Sequence, residues 1–389
     1  MSKISNVPQI RFKGFTDAWE QRKLAELFVN SGSGATPKST NKDFYDGDIP
    51  FLSIADIKGR EISETAKMIT QKGLESSAAW LVPKGALSLA MYASVGKIGI
   101  LNKSMATSQA FFNMVFDNEA CRDFVYTRLE KAELFNEWES YISTGTQRNL
   151  NAEKVKRFKI CVPESHETAR IANIFSQIDN YITLHQRKYD QVVNFKKAML
   201  EKMFPKDGCE TPEIRFKDFS GEKANAWQEK SLLEESDVIG TGKSKFNLNE
   251  SGPYEILGST SVIGYDDNYD YEGDFILIAR VGANAGELYR FSGKVKISDN
   301  TVFIQGNKIN FIYYLLVKSN LKRLSFGTGQ PLVKASELKD KVILVPQNVE
   351  EREQIGVFFE KLDKVISLYH HKLQKLNNLK KALLEKMFV

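Results

Sequence analysis

The chain closes twice in nearly the same words, KKAMLEKMF at residues 196–204 and KKALLEKMF at residues 380–388. Extended backwards at a fixed offset, residues 171–204 and 355–388 share 15 identities in 34 positions. Unrelated segments would share about two or three. The openings repeat as well: PQIRFKGF at 8–15 returns as PEIRFKDF at 212–219, each followed by an Ala-Trp pair ending at Trp19 and Trp227. A chain of 389 residues is therefore one unit written twice, about 8–204 and 212–388, with the length difference confined to the middles. There the similarity fades to echoes. ALSLAMYASVGKIG (86–99) stands beside DFILIARVGANAGE (274–287), and GTQRNLNAEKV (145–155) beside GTGQPLVKASEL (327–338).

The repeated tails predict long helices. Ile171, Ile174, Ile178, Ile182, His185, Val192 and Met199 step mostly by three or four along the first. Ile355, Phe358, Leu362, Ile366, Tyr369, Leu373, Leu376 and Leu383 do so along the second. Some 35–40 residues at ~1.5 Å each make a rod of roughly 50–60 Å. Such a stripe also suits a core helix packed on its own domain. Two similar rods of equal length can instead bury their seams against each other, and closed pseudo-twofold symmetry makes them antiparallel. Runs such as IPFLSI (49–54), ALSLAMY (86–92), FFNMVF (111–116), DFILIAR (274–280) and KVILVP (341–346) read as short strands, with helical pieces at 118–143 and 309–324. The expected fold is α+β: two mixed α/β heads in a tandem pseudo-twofold repeat, separated by two long helices forming an antiparallel coiled coil. The boundaries are 1–163 and 205–349 for the heads and 164–204 and 350–389 for the helices.

Composition removes several classes. Hydrophobic content of 42% with 26% charged residues is globular. No apolar run approaches the ~20 residues that cross a bilayer, and the amino terminus lacks an apolar signal core, so a cytoplasmic location without a membrane partner is expected. Cys121, Cys161 and Cys209 are widely spaced and form no CxxC pair, which argues against disulfides and a cysteine zinc site. The net charge of +5 is mild, and residues 204–349 carry 18 basic against 20 acidic side chains, so any nucleic-acid face on the second head is a local patch.

Catalytic signatures are weak. GTGKS at 240–244 resembles the end of a phosphate loop, yet Asp237 stands where that motif needs glycine, and Gly252-Pro253 breaks any following helix. His166, His185, His370 and His371 lie in or beside the helical tails, and His185 falls on the apolar stripe, so no metal site is expected. Polar loops are more informative. Ser31, Ser33, Thr36, Lys38, Ser39, Asn41 and Lys42 follow the first Ala-Trp pair, and Thr241, Lys243, Ser244, Lys245 and Asn247 follow the second. Ser94 and Lys97, then Thr146, Gln147 and Arg148, extend the set in the first head. Ser259, Thr260, Ser261, Arg280, Asn284, Thr328 and Gln330 extend it in the second. These side chains hydrogen-bond phosphates and base edges, and Arg280 is a candidate guanine reader. The same composition also describes solvated loops without a ligand.

Two heads, each followed by a similar long helix, resemble the specificity subunit of type I restriction–modification systems. The resemblance rests on the two IRFK openings with their tryptophans, on GDIPFLSIADIKG (47–59), ASVGKIG (93–99), the GTQ and GTGQ loops and the paired tails, and it covers essentially the whole chain. The second head lacks a clear GDIPFLSI equivalent. The resemblance implies a non-catalytic subunit whose heads are target recognition domains, each reading one half of a bipartite, asymmetric site in double-stranded DNA, with the coiled coil setting the spacer. It implies docking of two methyltransferase subunits and, through them, of restriction subunits. No cofactor belongs to this chain; S-adenosylmethionine, ATP and Mg are expected in those partners. A protein-interaction scaffold with a helical spacer is the alternative, and a nucleotide hydrolase using Lys243 is a weaker one.

Overall fold

The computed structural model describes residues 6–142, 149–221, 225–243, 245–306, 309–322 and 332–389. The chain divides into two compact units, Met1–Arg187 with His371–Val389, and Lys188–His370. In the first, an antiparallel sheet runs in the order Asn30–Ser33, Phe111–Val115, Leu87–Ala90, Ile98–Leu101, with Glu61–Ile62 added parallel at its edge. In the second, Val238–Thr241, Thr301–Gln305, Tyr271–Ala279 and Leu288–Ile297 stand in the same order.

These central strands read as continuous apolar runs because both of their faces are covered. Leu87 and Leu89 point at Val125 and Leu129 of the helix Glu119–Leu134, whereas Ala90 and Phe111 face Leu52 and Val82 of a second sheet. In the other unit Ile276 and Ile278 meet Phe311 and Leu315 of the helix Ile309–Ser319, and Phe275 and Leu277 face Leu257 and Val295.

The middles differ in how they cover that outer face. The first unit adds a four-stranded sheet, Lys67–Ile69, Tyr45–Leu52, Met105–Thr107 and Leu81–Val82, whose second strand contains GDIPFL. The second unit instead extends its main sheet with Tyr254–Leu257, parallel to Leu288–Ile297, and Val262–Asp266. The missing GDIPFLSI echo thus reflects a different solution to covering one sheet face.

Two-stranded ribbons, Glu20–Lys23 with Lys159–Val162 and Gln228–Ser231 with Val342–Val345, lead into the long helices Ser165–Lys202 and Val349–Met387. The helices pass each other antiparallel within each unit. In the first, Phe175 meets Phe388 with ring centroids 5.6 Å apart and Asp179 meets Lys380 at 2.5 Å. In the second, Tyr189 meets His370 at 6.2 Å and Phe195 meets Phe358 at 6.3 Å. All fifteen seam positions named above are buried or half-buried. The stripe nevertheless serves two purposes. Ile171, Ile174 and Leu383 belong to the core of the first unit, and Ile355, Phe358, Leu362 and Met199 pack on that of the second, so the ends of the rods are core helices after all.

Each unit is closed by four aromatic rings. Trp19, Phe124, Phe175 and Phe388 form the first group, and Trp227, Phe311, Phe359 and Phe204 the second. The phenylalanine ending one long helix therefore completes the cluster built around the start of the other. Replacing a buried Phe by Ala costs about 3–5 kcal/mol. Phe388→Ala and Phe204→Ala are each expected to lose that much in urea unfolding followed by tryptophan fluorescence, and a loss below about 1 kcal/mol would contradict the assignment.

Candidate nucleic-acid interface

One edge of each central sheet is built from the same backbone hydrogen bonds. In the first unit Ala90 N bonds Lys97 O, Gly96 N bonds Ala90 O, and Lys97 N bonds Ser94 O. Met91 N bonds Ala110 O, Phe111 N bonds Ser108 O, and Leu150 N bonds Met91 O. In the second, Ala279 N bonds Glu287 O, Gly286 N bonds Ala279 O, and Glu287 N bonds Asn284 O. Arg280 N bonds Asn300 O, Thr301 N bonds Ser298 O, and Val333 N bonds Arg280 O. Met91 therefore corresponds to Arg280, Ser94 to Asn284, Lys97 to Glu287 and Gln109 to Asp299. A third loop joins each edge through a glycine that no other residue could replace. A Cβ on Gly34 would lie 1.8 Å from Thr107 O, and one on Gly242 would lie 2.2 Å from Ile297 O and Ser298 O.

The edge of the first unit gathers part of its predicted set. The Thr36 hydroxyl donates to Gln109 Oε1 at 2.8 Å, both side chains being exposed. Asn41 accepts from Asp43 N and Lys38 O accepts from Asn41 N, which folds the loop into a cap and leaves Lys38, Ser39 and Lys42 in solvent. Ser31 and Ser33 lie in the edge strand Asn30–Ser33, and Ser94 is exposed on its turn. Lys97 is half-buried at a cavity lined also by Glu130 and Glu133 of the helix Glu119–Leu134. Burial raises the Glu133 carboxyl pKa there, and the Lys97 charge opposes the rise.

In the second unit the turn at 298–301 is the meeting point. The Ser259 hydroxyl donates to Asn300 O at 2.9 Å and Arg280 Nη1 donates to Asp299 O at 3.0 Å. Gly242 N and Lys243 N bond Thr301 O and Ile297 O, and Thr241 pairs with Val302. Thr260 and Ser261 form an exposed turn closed by Gly258 N on Ser261 O; Lys245, Asn247 and Asn284 are also exposed. Lys243 Nζ lies 3.4 Å from Asp270 and 5.5 Å over the Tyr271 ring. Its backbone bridges Ser298 in a sheet rather than opening a helix, so the geometry of a phosphate loop is not present here. Thr146, Gln147, Arg148, Ser244, Thr328 and Gln330 lie outside the described residues. Among the described residues no group of His, Cys, Asp and Glu could hold a metal ion.

The turns at 108–111 and 298–301, which organise both edges, carry only one shared residue, Ser108 and Ser298. A polar turn between two strands is the only signal either gives. Gln109, Asp299 and Asn300 are accordingly additions to the predicted set.

The family model for the type I restriction modification DNA specificity domain matches residues 16–194 and 225–378. The chain belongs to this family. Among its relatives the MjaIX specificity subunit of Methanocaldococcus jannaschii is 27% identical over 179 residues, which make up 45% of this chain and 41% of that one. The chain thus spans less than half the length of that relative. The EcoprrI specificity subunit of Escherichia coli is 21% identical over 370 residues, covering 87% of this chain and 86% of its own. The crystal structure of a type I restriction–modification S subunit from M. genitalium shares the fold, with a TM-score of 0.73 at 15% identity over 98% of this chain and 99% of that one. Specificity subunits supply DNA recognition to type I systems, and catalysis lies in other subunits. No helix among the described residues is long and apolar enough to cross a membrane.

The loop at 245–249 is pinned to the end of the strand Val262–Asp266 by Asp266, which is buried and accepts from Asn268 N at 3.0 Å and Asn247 N at 2.9 Å, with Lys296 at 3.3 Å. Those bonds, the Asn268 amide foremost, hold its carboxyl below the usual carboxylate range. Their stabilisation is fully present above the unfolded value of about 3.9 and is lost as pH falls through the lower native value. Amide shifts of Asn247 and Asn268 should titrate together with a midpoint below about 3.9; a higher midpoint would contradict the staple.

Proposed function

We propose that this chain is the non-catalytic DNA-reading subunit of a type I restriction–modification complex, each head reading one half of a bipartite, asymmetric site. The observation that carries this reading is the pair of edges: one hydrogen-bonded frame, written twice, presenting different side chains. Thr36, Gln109 and Ser94 stand on the first edge, and Ser259, Arg280 and Asn284 on the second. Two half-sites of different sequence follow from such a device, because the frame sets position and the side chains set the base. Lysines beside the edges, Lys38 and Lys42 in the first head and Lys245 in the second, supply phosphate contacts. Each long helix begins in one unit and ends in the other, which supports a role in fixing the spacer. Two methyltransferase subunits, and restriction subunits through them, complete the assembly and hold S-adenosylmethionine, ATP and Mg.

Exchanging residues 31–162 for the equivalent segment of a related chain is expected to change one half of the methylated sequence in cells and leave the other half intact. A changed partner set with unchanged methylation would favour the scaffold reading instead. Inserting one helical turn, about 5.4 Å of rise, into Ser165–Lys202 is expected to alter the preferred spacer or abolish modification, as read by methylation-sensitive sequencing. An unaltered spacer at full activity would remove the helices from that role.

A further inference from the structure

The two edges share a backbone but differ most sharply at one position. Met91 in the first head is buried, 3% exposed, and belongs to the apolar core. Its counterpart Arg280 is half-exposed, although its main chain makes the same two bonds, N to Asn300 O at 3.0 Å and O from Val333 N at 2.8 Å. The guanidinium is fixed as well, since Nη1 donates to Asp299 O at 3.0 Å. Among the described residues its one side-chain partner is that backbone oxygen rather than a carboxylate, and none of its nitrogens is buried without a partner. One donor thus buttresses the side chain while Nη2 and Nε remain for a ligand outside the chain. Two parallel N–H donors on a rigid fork match the O6 and N7 acceptors of guanine in the major groove. Around it stand Ser259, hydrogen-bonded to the same turn, and exposed Asn284 and Asn300, so the position lies amid polar groups suited to base edges.

We propose that Arg280 is a specificity-determining residue that reads a guanine in the half-site of the second head, and that the first head, with Met91 in that place, has no such reader. This rests on the DNA-reading function proposed above. The acidic aspect of the surroundings supports a base over a phosphate: Asp299 lies next in the turn, and the second head carries more acidic than basic residues, so the arginine held by one backbone carbonyl is matched better by the paired acceptors of guanine than by an anion.

The test uses the full-length chain with the subunits that co-purify with it, presented with a duplex DNA library randomised across its centre. Wild type is expected to select a two-part motif with an invariant G·C pair in one half. Arg280→Ala should lower the preference for guanine at that single position roughly 5- to 150-fold, leaving the other half of the motif unchanged. Arg280→Lys keeps the charge but not the fork. It should lose the same preference while retaining the salt dependence of wild-type binding, which separates base reading from phosphate attraction and from misfolding. A motif that either variant leaves intact, or a uniform loss of affinity for all sequences, overturns the assignment of Arg280. Failure of wild type to select any two-part motif overturns the DNA-reading function itself, and the assignment with it.

Discussion

A buried carboxylate in the first turn of each long helix is gripped by an arginine from the opening segment of the same head. Arg11 Nε and Nη2 donate to Glu167 at 2.9 and 2.6 Å, and Arg215 Nε and Nη2 donate to Glu351 at 2.8 and 2.6 Å. The third donor of each fork bonds a backbone oxygen, Asp17 O or Asn225 O. The neighbouring isoleucine closes the other side, with Ile10 N on Lys386 O and Ile214 N on Lys202 O. The IRFK opening therefore ties the end of one long helix to the beginning of the other. Removing one partner of a buried pair leaves an uncompensated charge at about 3–5 kcal/mol, so the starts of both long helices depend on these four residues.

A second tie shows how far the symmetry is physical rather than textual. Arg60 lies 4.5 Å over the Tyr126 ring and reaches Asp179 and Asp123. Arg290 lies 4.5 Å over the Tyr313 ring and reaches Asp363 and Asn310. Lys380 pairs with Asp179, and Lys196 pairs with Asp363. The tyrosines, aspartates and lysines correspond along the repeat, but the two arginines arrive from unrelated places, Arg60 from the bend before the strand Glu61–Ile62 and Arg290 from within the strand Leu288–Ile297. Each head has met the same need, a cation to balance the helix aspartate, buried at Asp179 and half-buried at Asp363, with a residue from its own divergent middle.

The helices and the openings were legible because their constraints are local or periodic. Ile171 to Leu383 repeat at helical spacing, and IRFK is a contiguous string. The proposed reading edge is legible only in pieces. Thr36, Ser259 and Arg280 stand out as polar residues beside strands, but their common anchor, the turns at 108–111 and 298–301, is a matter of backbone bonding, and the two turns share a single serine. Lys97 looked equivalent to the loop residues and faces the helix Glu119–Leu134 instead, because the turn that exposes Ser94 reverses the chain within three residues. The structure shifts the echo between ASVGKIG and RVGANAGE by one to two residues, since the second loop holds an extra residue between Arg280 and Gly286.

A frame repeated twice with different side chains is what the proposed reading of two different sequences requires. Hydroxyl-radical footprinting of the assembled complex on a DNA fragment that it modifies tests this directly. Two separate protected patches, of different sequence and divided by an accessible spacer, are the predicted result. A single continuous patch, or two patches of the same sequence, would contradict it.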